Sequence, residues 1–161
     1  MLRRVSMSEK SQHSLSIALW VSTIVILVLV SLQGFSGNWV TFFLILPGGS
    51  SAFSQGFIPV LVKLGLYHRI MGFVITLLSI VVLVFAFLKK SSIYVRVFAV
   101  LGFVLTVVAA YGGYLFFTSR YQDRLSLGQM ADAFVGVDAA YFLQLFFMNR
   151  TASFSFRSKN S

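Results

Sequence analysis

Apolar residues arrive in four long runs, each close to the ~20 residues that cross a bilayer as a helix, and polar residues gather between them. The first run, 15–33, carries the β-branched stretch Ile24-Val25-Ile26-Leu27-Val28-Leu29-Val30. In water such a stretch favours a strand. Across lipid every backbone N–H and C=O must be satisfied within the segment, so the pattern predicts a helix. The second run, 59–88, opens on Pro59, which suits a first helical turn, and stops at Lys89-Lys90. At 1.5 Å per residue it spans about 45 Å, more than the ~30 Å hydrocarbon core. The third and fourth runs are 97–118 and 129–148. Together they predict an all-α, integral membrane four-helix bundle.

The punctuation sets the domain plan. Residues 1–14 form a polar N-terminal cap, 15–149 the transmembrane domain, and 150–161 a Ser-rich basic tail expected to be disordered. The basic start followed by an apolar run has the outline of a signal peptide, but the run is long enough to span and is read as a retained helix. The longest connection is expected at 34–58, with Trp39 at headgroup depth, a short apolar piece 40–46, and Pro47-Gly48-Gly49-Ser50-Ser51. It is either an ordinary interfacial loop or a re-entrant cap over a site.

Small residues recur at Gly102, Thr106, Ala110 and Gly113, and again at Gly136 and Ala140, where they would allow close helix approach. Nine Lys/Arg (3, 4, 10, 89, 90, 96, 150, 157, 159) fall on one side of the spans and four (63, 69, 120, 124) on the other. By the positive-inside rule this predicts cytoplasmic N- and C-termini and a plasma-membrane setting. His68 then lies in the outer half.

Composition agrees with the pattern and narrows the chemistry. Hydrophobic residues make up 58% of the 161 residues and charged ones 11%, too few charges to cover a soluble surface. The formal charge of +9 is spread over the caps between spans, which fits topology and anionic lipid better than a nucleic-acid-binding face. There are no cysteines, so thiolate metal sites, iron–sulfur clusters, disulfides and cysteine nucleophiles are excluded. Gly48-Gly49-Ser50-Ser51 lacks the lysine of a phosphate loop. Paired carboxylates and a serine triad are missing as well.

Two features at membrane depth remain. Tyr67-His68-Arg69-Ile70-Met71-Gly72 places an imidazole beside a guanidinium at the edge of the second run. His68 is either an axial haem ligand, with Arg69 near a propionate and Gly72 giving room for a flat macrocycle, or half of an interfacial anchor. His13 belongs to the polar cap. Asp138 falls near mid-bilayer in the fourth run, where acids are costly and face a bundle interior or a partner. It reads as a proton relay, an ion site or a docking contact, or as a structural acid hydrogen-bonded to a neighbouring hydroxyl. Asp132, near the outer boundary, is placed to pair with Arg124 or Arg69.

The stretch 67–90, YHRIMGFVITLLSIVVLVFAFLKK, resembles the second helix of a haem A synthase half-unit, which carries a His-Arg pair at its outer end and uses the His as a haem ligand. Four-helix membrane cytochromes of the b561 kind are similar more weakly. The residue likeness covers about one helix; four spans, a long outer loop and Gly112-Gly113 extend it as topology. It implies a haem cofactor on His68 and Arg69. The family's glutamate three residues before the His is here Gly65, and the second histidine expected on the fourth helix is absent, leaving Met130 as a candidate second ligand beside a His68 of another copy or a residue of another subunit.

Two classes of function follow. One is a haem-linked respiratory membrane protein, a degenerate haem A synthase-like or b-type unit. The other is a non-catalytic accessory or assembly subunit of a larger membrane complex. The expected partners are the lipid bilayer and other membrane subunits or further copies, and not nucleic acid.

Overall fold

A computed structural model describes residues 9–45, 58–89, 91–119 and 124–157 of the chain. They form four α-helices: α1 Glu9–Ile45, α2 Ile58–Leu88, α3 Ile93–Thr118 and α4 Arg124–Arg157. Each contains a stretch long and apolar enough to cross a membrane, namely Ser11–Gly37, Gly65–Leu88, Ile93–Thr118 and Leu125–Arg150. The protein is a multi-pass membrane protein whose spans contact the lipid bilayer.

The helices pack in a ring, α1 on α2, α2 on α3, α3 on α4 and α4 back on α1, with the α3–α4 seam the most extensive. Neighbours run antiparallel. At the end holding both termini, Trp20 Nε1 donates to Asn149 Oδ1 (3.2 Å) and Lys89 Nζ donates to Ser16 Oγ (2.6 Å). At the other end the Arg69 guanidinium lies 3.7 Å above the Phe117 ring, tying α2 to α3.

The bundle inverts the arrangement of a soluble protein. Its outward surface is apolar, with Phe73, Tyr114, Val135 and Phe142 among the exposed side chains. Several polar side chains, Thr23, Ser79, Thr106 and Gln144, are instead buried beside Leu19, Ile26, Val82 and Tyr141. This is the distribution a hydrocarbon solvent selects. The hydroxyls of Thr23, Thr76, Ser79 and Thr106 donate to carbonyls three or four residues earlier in their own helices, which satisfies their protons without a partner helix.

The ends of the helices differ from the sequence expectation. α1 runs past Gln33 to Ile45, where a loop was expected from Gly34. Gly34, Ser36 and Gly37 are weak helix formers in water, but lipid removes the competing hydrogen bonds to solvent and the helix continues. α3 begins four residues before the expected 97, capped by Ser92, whose Oγ accepts from Val95 N at 3.5 Å. α4 starts at Arg124 and extends to Arg157, into the tail expected to be disordered. The Pro47–Ser51 part of the expected loop lies outside the described residues, as does the side chain of Trp39.

The small-residue positions act at the seams, with one correction. Gly102 takes the ring of Tyr141, Gly136 takes Leu105, and Ala140 is buried. Ala110 is exposed. A step of four residues overshoots one helical turn by about 40°, so two steps rotate Ala110 roughly 80° off the stripe that begins at Gly102.

Candidate functional site

His68 is half-buried in the seam between α2 and α1, near the end of the bundle away from the termini. It fits there because Gly37 has no side chain: a Cβ at that position would stand 2.8 Å from His68 Cε1. α1 surrounds the ring with two polar residues one turn apart. Gln33 Nε2 donates to the backbone carbonyl of His68 (2.7 Å), clamping α1 to α2. Ser36 Oγ lies 3.2 Å from His68 Nδ1.

The Ser36 contact bears on which ring nitrogen carries the proton. Ser36 donates its only hydroxyl proton to Gln33 O at 2.9 Å. With that proton so placed, its oxygen accepts from Nδ1–H, which favours the neutral imidazole with its lone pair on Nε2. Nε2 makes no hydrogen bond among the described residues. A held Nδ1–H opposite a free Nε2 is the arrangement that orients a histidine as a ligand.

Beside the ring is a groove of ≈ 230 Å³ lined by Leu32, Gln33, Ser36, Tyr67, His68 and Met71. Small-molecule sites run from about 300 to 1,000 Å³, so the groove covers an edge of a flat macrocycle and leaves the rest to other surroundings. Gly72 does not open a face for such a ring. It looks onto α1, where a Cβ would lie 3.5 Å from Gln33 Nε2. Arg69, the next residue around α2, turns to Phe117 on α3.

Met130 sits in a different seam. Its backbone N and Cβ pack on Gly112 and its Sδ on Gly113, between α4 and α3. Thus His68 faces α1, Arg69 faces α3 and Met130 faces α3 from α4; the three sequence candidates do not line one groove. Asp132 is exposed and no ion pair joins it to Arg69. The side chain of Arg124 lies outside the described residues. Asp138 is partly buried, and its Oδ1 is fully enclosed without a hydrogen-bond partner.

Gln33, Ser36 and Gly37 were not among the sequence candidates, although they complete the histidine's surroundings. Their signal was present as two hydrogen-bonding side chains three residues apart followed by a glycine. It went unread because a loop was expected to begin at Gly34. Among the described residues no group of three or more His, Asp or Glu side chains is placed to hold a metal ion.

As a haem site, the residues fit one role. Were a haem bound, His68 would offer an imidazole nitrogen and Ser36 the partner that holds the ring. The wall and a second ligand are not provided by the groove itself. No family model, no curated protein and no solved structure matches this chain.

Proposed function

We propose that this multi-pass protein is a haem-linked subunit in the plasma membrane, contributing His68 Nε2 as one axial ligand to a haem at its lateral face. The observation that carries the reading is Ser36 Oγ 3.2 Å from His68 Nδ1, with its own proton directed to Gln33 O, beside a groove opening between α1 and α2; this favours Nδ1–H and leaves Nε2 without a hydrogen bond among the described residues. A bound haem supplies one-electron chemistry. The chain's part is to hold the imidazole, through Ser36 and the Gln33 clamp, and to offer Leu32 and Met71 as an apolar edge. The rest of the pocket and the second ligand come from another subunit or a second copy. The respiratory setting rests on the resemblance of residues 67–90. Cytoplasmic termini rest on the nine-to-four division of Lys and Arg.

A second reading is an accessory or assembly subunit that carries no haem. It is favoured by Arg69 being engaged on Phe117 and by Gly72 being covered by Gln33. One experiment separates the two. The protein is purified from its native membrane with its partners, and visible spectra are recorded oxidised and reduced. A Soret band that disappears in His68→Ala supports the haem reading. A colourless preparation that brings down larger membrane partners rejects it in favour of the second.

A further inference from the structure

A row of polar groups follows α4 away from the His68 groove, from Gln144 and Tyr141 on its inward face to the half-buried Asp138 at the edge of that face. Asp138, Tyr141 and Gln144 follow one another at intervals of three residues, and each has an enclosed atom without a hydrogen-bond partner: Oδ1, the hydroxyl and Oε1. Tyr141 and Gln144 are both 0% exposed. All four helices contribute to this layer. Gln144 Nε2 donates to Thr23 Oγ1 on α1 at 3.3 Å. The Tyr141 hydroxyl approaches those of Thr106 on α3 and Ser79 on α2 without closing a hydrogen bond of good geometry to either.

The donors and acceptors of this layer do not balance. Thr23, Ser79 and Thr106 donate their protons to Leu19 O, Thr76 O and Gly102 O, so they turn oxygen lone pairs inward, and the Tyr141 hydroxyl and the second Nε2 proton of Gln144 are the donors left to meet them. Asp138 Oδ1 and Gln144 Oε1 add two further acceptors. Orphaned acceptors in a low-dielectric interior call for protons or water. A single metal ion does not answer the need. Residues 138 and 144 are separated by about 9 Å along the helix at 1.5 Å per residue, too far apart for one centre to collect both oxygens.

We propose that Asp138 is an intramembrane proton-binding site, reached by water held along Tyr141 and Gln144 from the end of the bundle that contains both termini. Direction follows from what flanks the row. Toward the termini the polar groups continue through Ser22 and Thr23 to the Trp20–Asn149 hydrogen bond. Away from them, Asp138 is followed by apolar packing, with Phe134 against Gly34 and Leu105 against Gly136. A proton taken from water at the termini end adds to the Asp138 carboxylate and makes the neutral acid; release reverses the same path. Tyr141 and Gln144 hold the waters and are unchanged afterwards. The inference uses no group around His68 and does not depend on haem.

The chain has four acidic side chains, Glu9, Asp123, Asp132 and Asp138, so infrared assignment of a protonated carboxyl is direct. The full protein in lipid bilayers at neutral pH is expected to show one protonated-carboxyl C=O band that shifts in D₂O and is lost in Asp138→Asn. Tyr141→Phe and Gln144→Leu are each expected to slow the D₂O shift about tenfold, the scale of one lost hydrogen bond to the waters along the row. Phe134→Leu, beyond Asp138 on the other side, leaves the rate unchanged. Absence of the band in the wild type, its survival in Asp138→Asn, or its failure to shift in D₂O overturns the site. Wild-type exchange in both Tyr141→Phe and Gln144→Leu, or acceleration by Phe134→Leu, overturns the route.

Discussion

Replacing Gly102 by alanine tests the α3–α4 seam directly. A Cβ built there stands 2.7, 2.9 and 3.0 Å from Cζ, Cε1 and Cε2 of Tyr141. Carbon atoms settle at about 3.5–4.0 Å, so the ring must retreat by most of an ångström. Tyr141 has no exposed surface into which to retreat. Overpacking of this kind costs about 1–3 kcal/mol, and the better helix propensity of alanine returns about 1 kcal/mol. Gly102→Ala is therefore expected to destabilise the bundle by roughly 0–2 kcal/mol. Gly128 provides the internal comparison: it lies in α4 with nothing within 4 Å of a built Cβ. Gly128→Ala keeps the propensity gain and is expected to stabilise by about 1 kcal/mol. Equilibrium unfolding in mixed micelles, followed by helical circular dichroism, measures both. Adding Tyr141→Leu removes the ring and should relieve the cost at position 102, giving a coupling of about 0.5–3 kcal/mol in a double-mutant cycle. If Gly102→Ala proves as stable as Gly128→Ala, or the cycle shows no coupling, the packing argument is wrong.

Three further expectations follow from other seams. Ser36→Ala removes the acceptor for Nδ1–H, and ¹⁵N NMR of the histidine should show the fixed Nδ1–H tautomer of His68 giving way to a mixture, with a stability loss of about 1 kcal/mol; an unchanged tautomer would mean that Ser36 does not hold it. Phe147 stacks on Tyr94 at 4.9 Å and on Phe98 at 5.6 Å, so Phe147→Leu should cost about 1–3 kcal/mol at roughly 0.5–1.5 kcal/mol per aromatic pair, read by the same unfolding assay. Burial pushes the Lys89 ammonium below its ordinary range. The folded state thus holds this proton less firmly than the unfolded state, and stability should rise with pH between the lowered folded value and the ordinary 10.5. Lys89→Gln, which can still donate to Ser16, should flatten that rise, and an equal slope in both proteins would remove Lys89 as its source.

The helix count was legible because nothing in a bilayer competes with the helix for backbone hydrogen bonds, so the apolar runs alone identified the spans. Their ends were less legible. Gly34, Ser36 and Gly37 carry the turn chemistry of a loop, yet in lipid α1 passes through them, and Gly37 and Ser36 then receive His68 from α2. Position along each run could be read, which is how His68 and Asp138 were singled out. Facing direction could not. Adjacent residues on a helix point about 100° apart, so His68 and Arg69 were bound to address different neighbours, α1 and α3. Met130 lies at the same end of the bundle but is turned onto Gly112 and Gly113. The buried row of Tyr141 and Gln144 was missed for a related reason: each residue alone is unremarkable in a helix, and only the ring of four helices takes them off the outer surface.

The unequal seams also bear on how the chain enters the membrane. α3 and α4 meet closely at three levels, Gly102 with the Tyr141 ring, Gly136 with Leu105 and Gly112 with the backbone of Ser126 and Met130. α1 and α2 are joined by their own clamp at Gln33 and Gly37. Each consecutive pair is therefore a hairpin with a recognition surface of its own, ready to insert as a unit before the ring exists. The connection between α2 and α3 has only to bring the two pairs side by side. Expressed as separate pieces divided at that connection, the halves should find each other in the bilayer, and the connecting residues would then serve delivery more than structure.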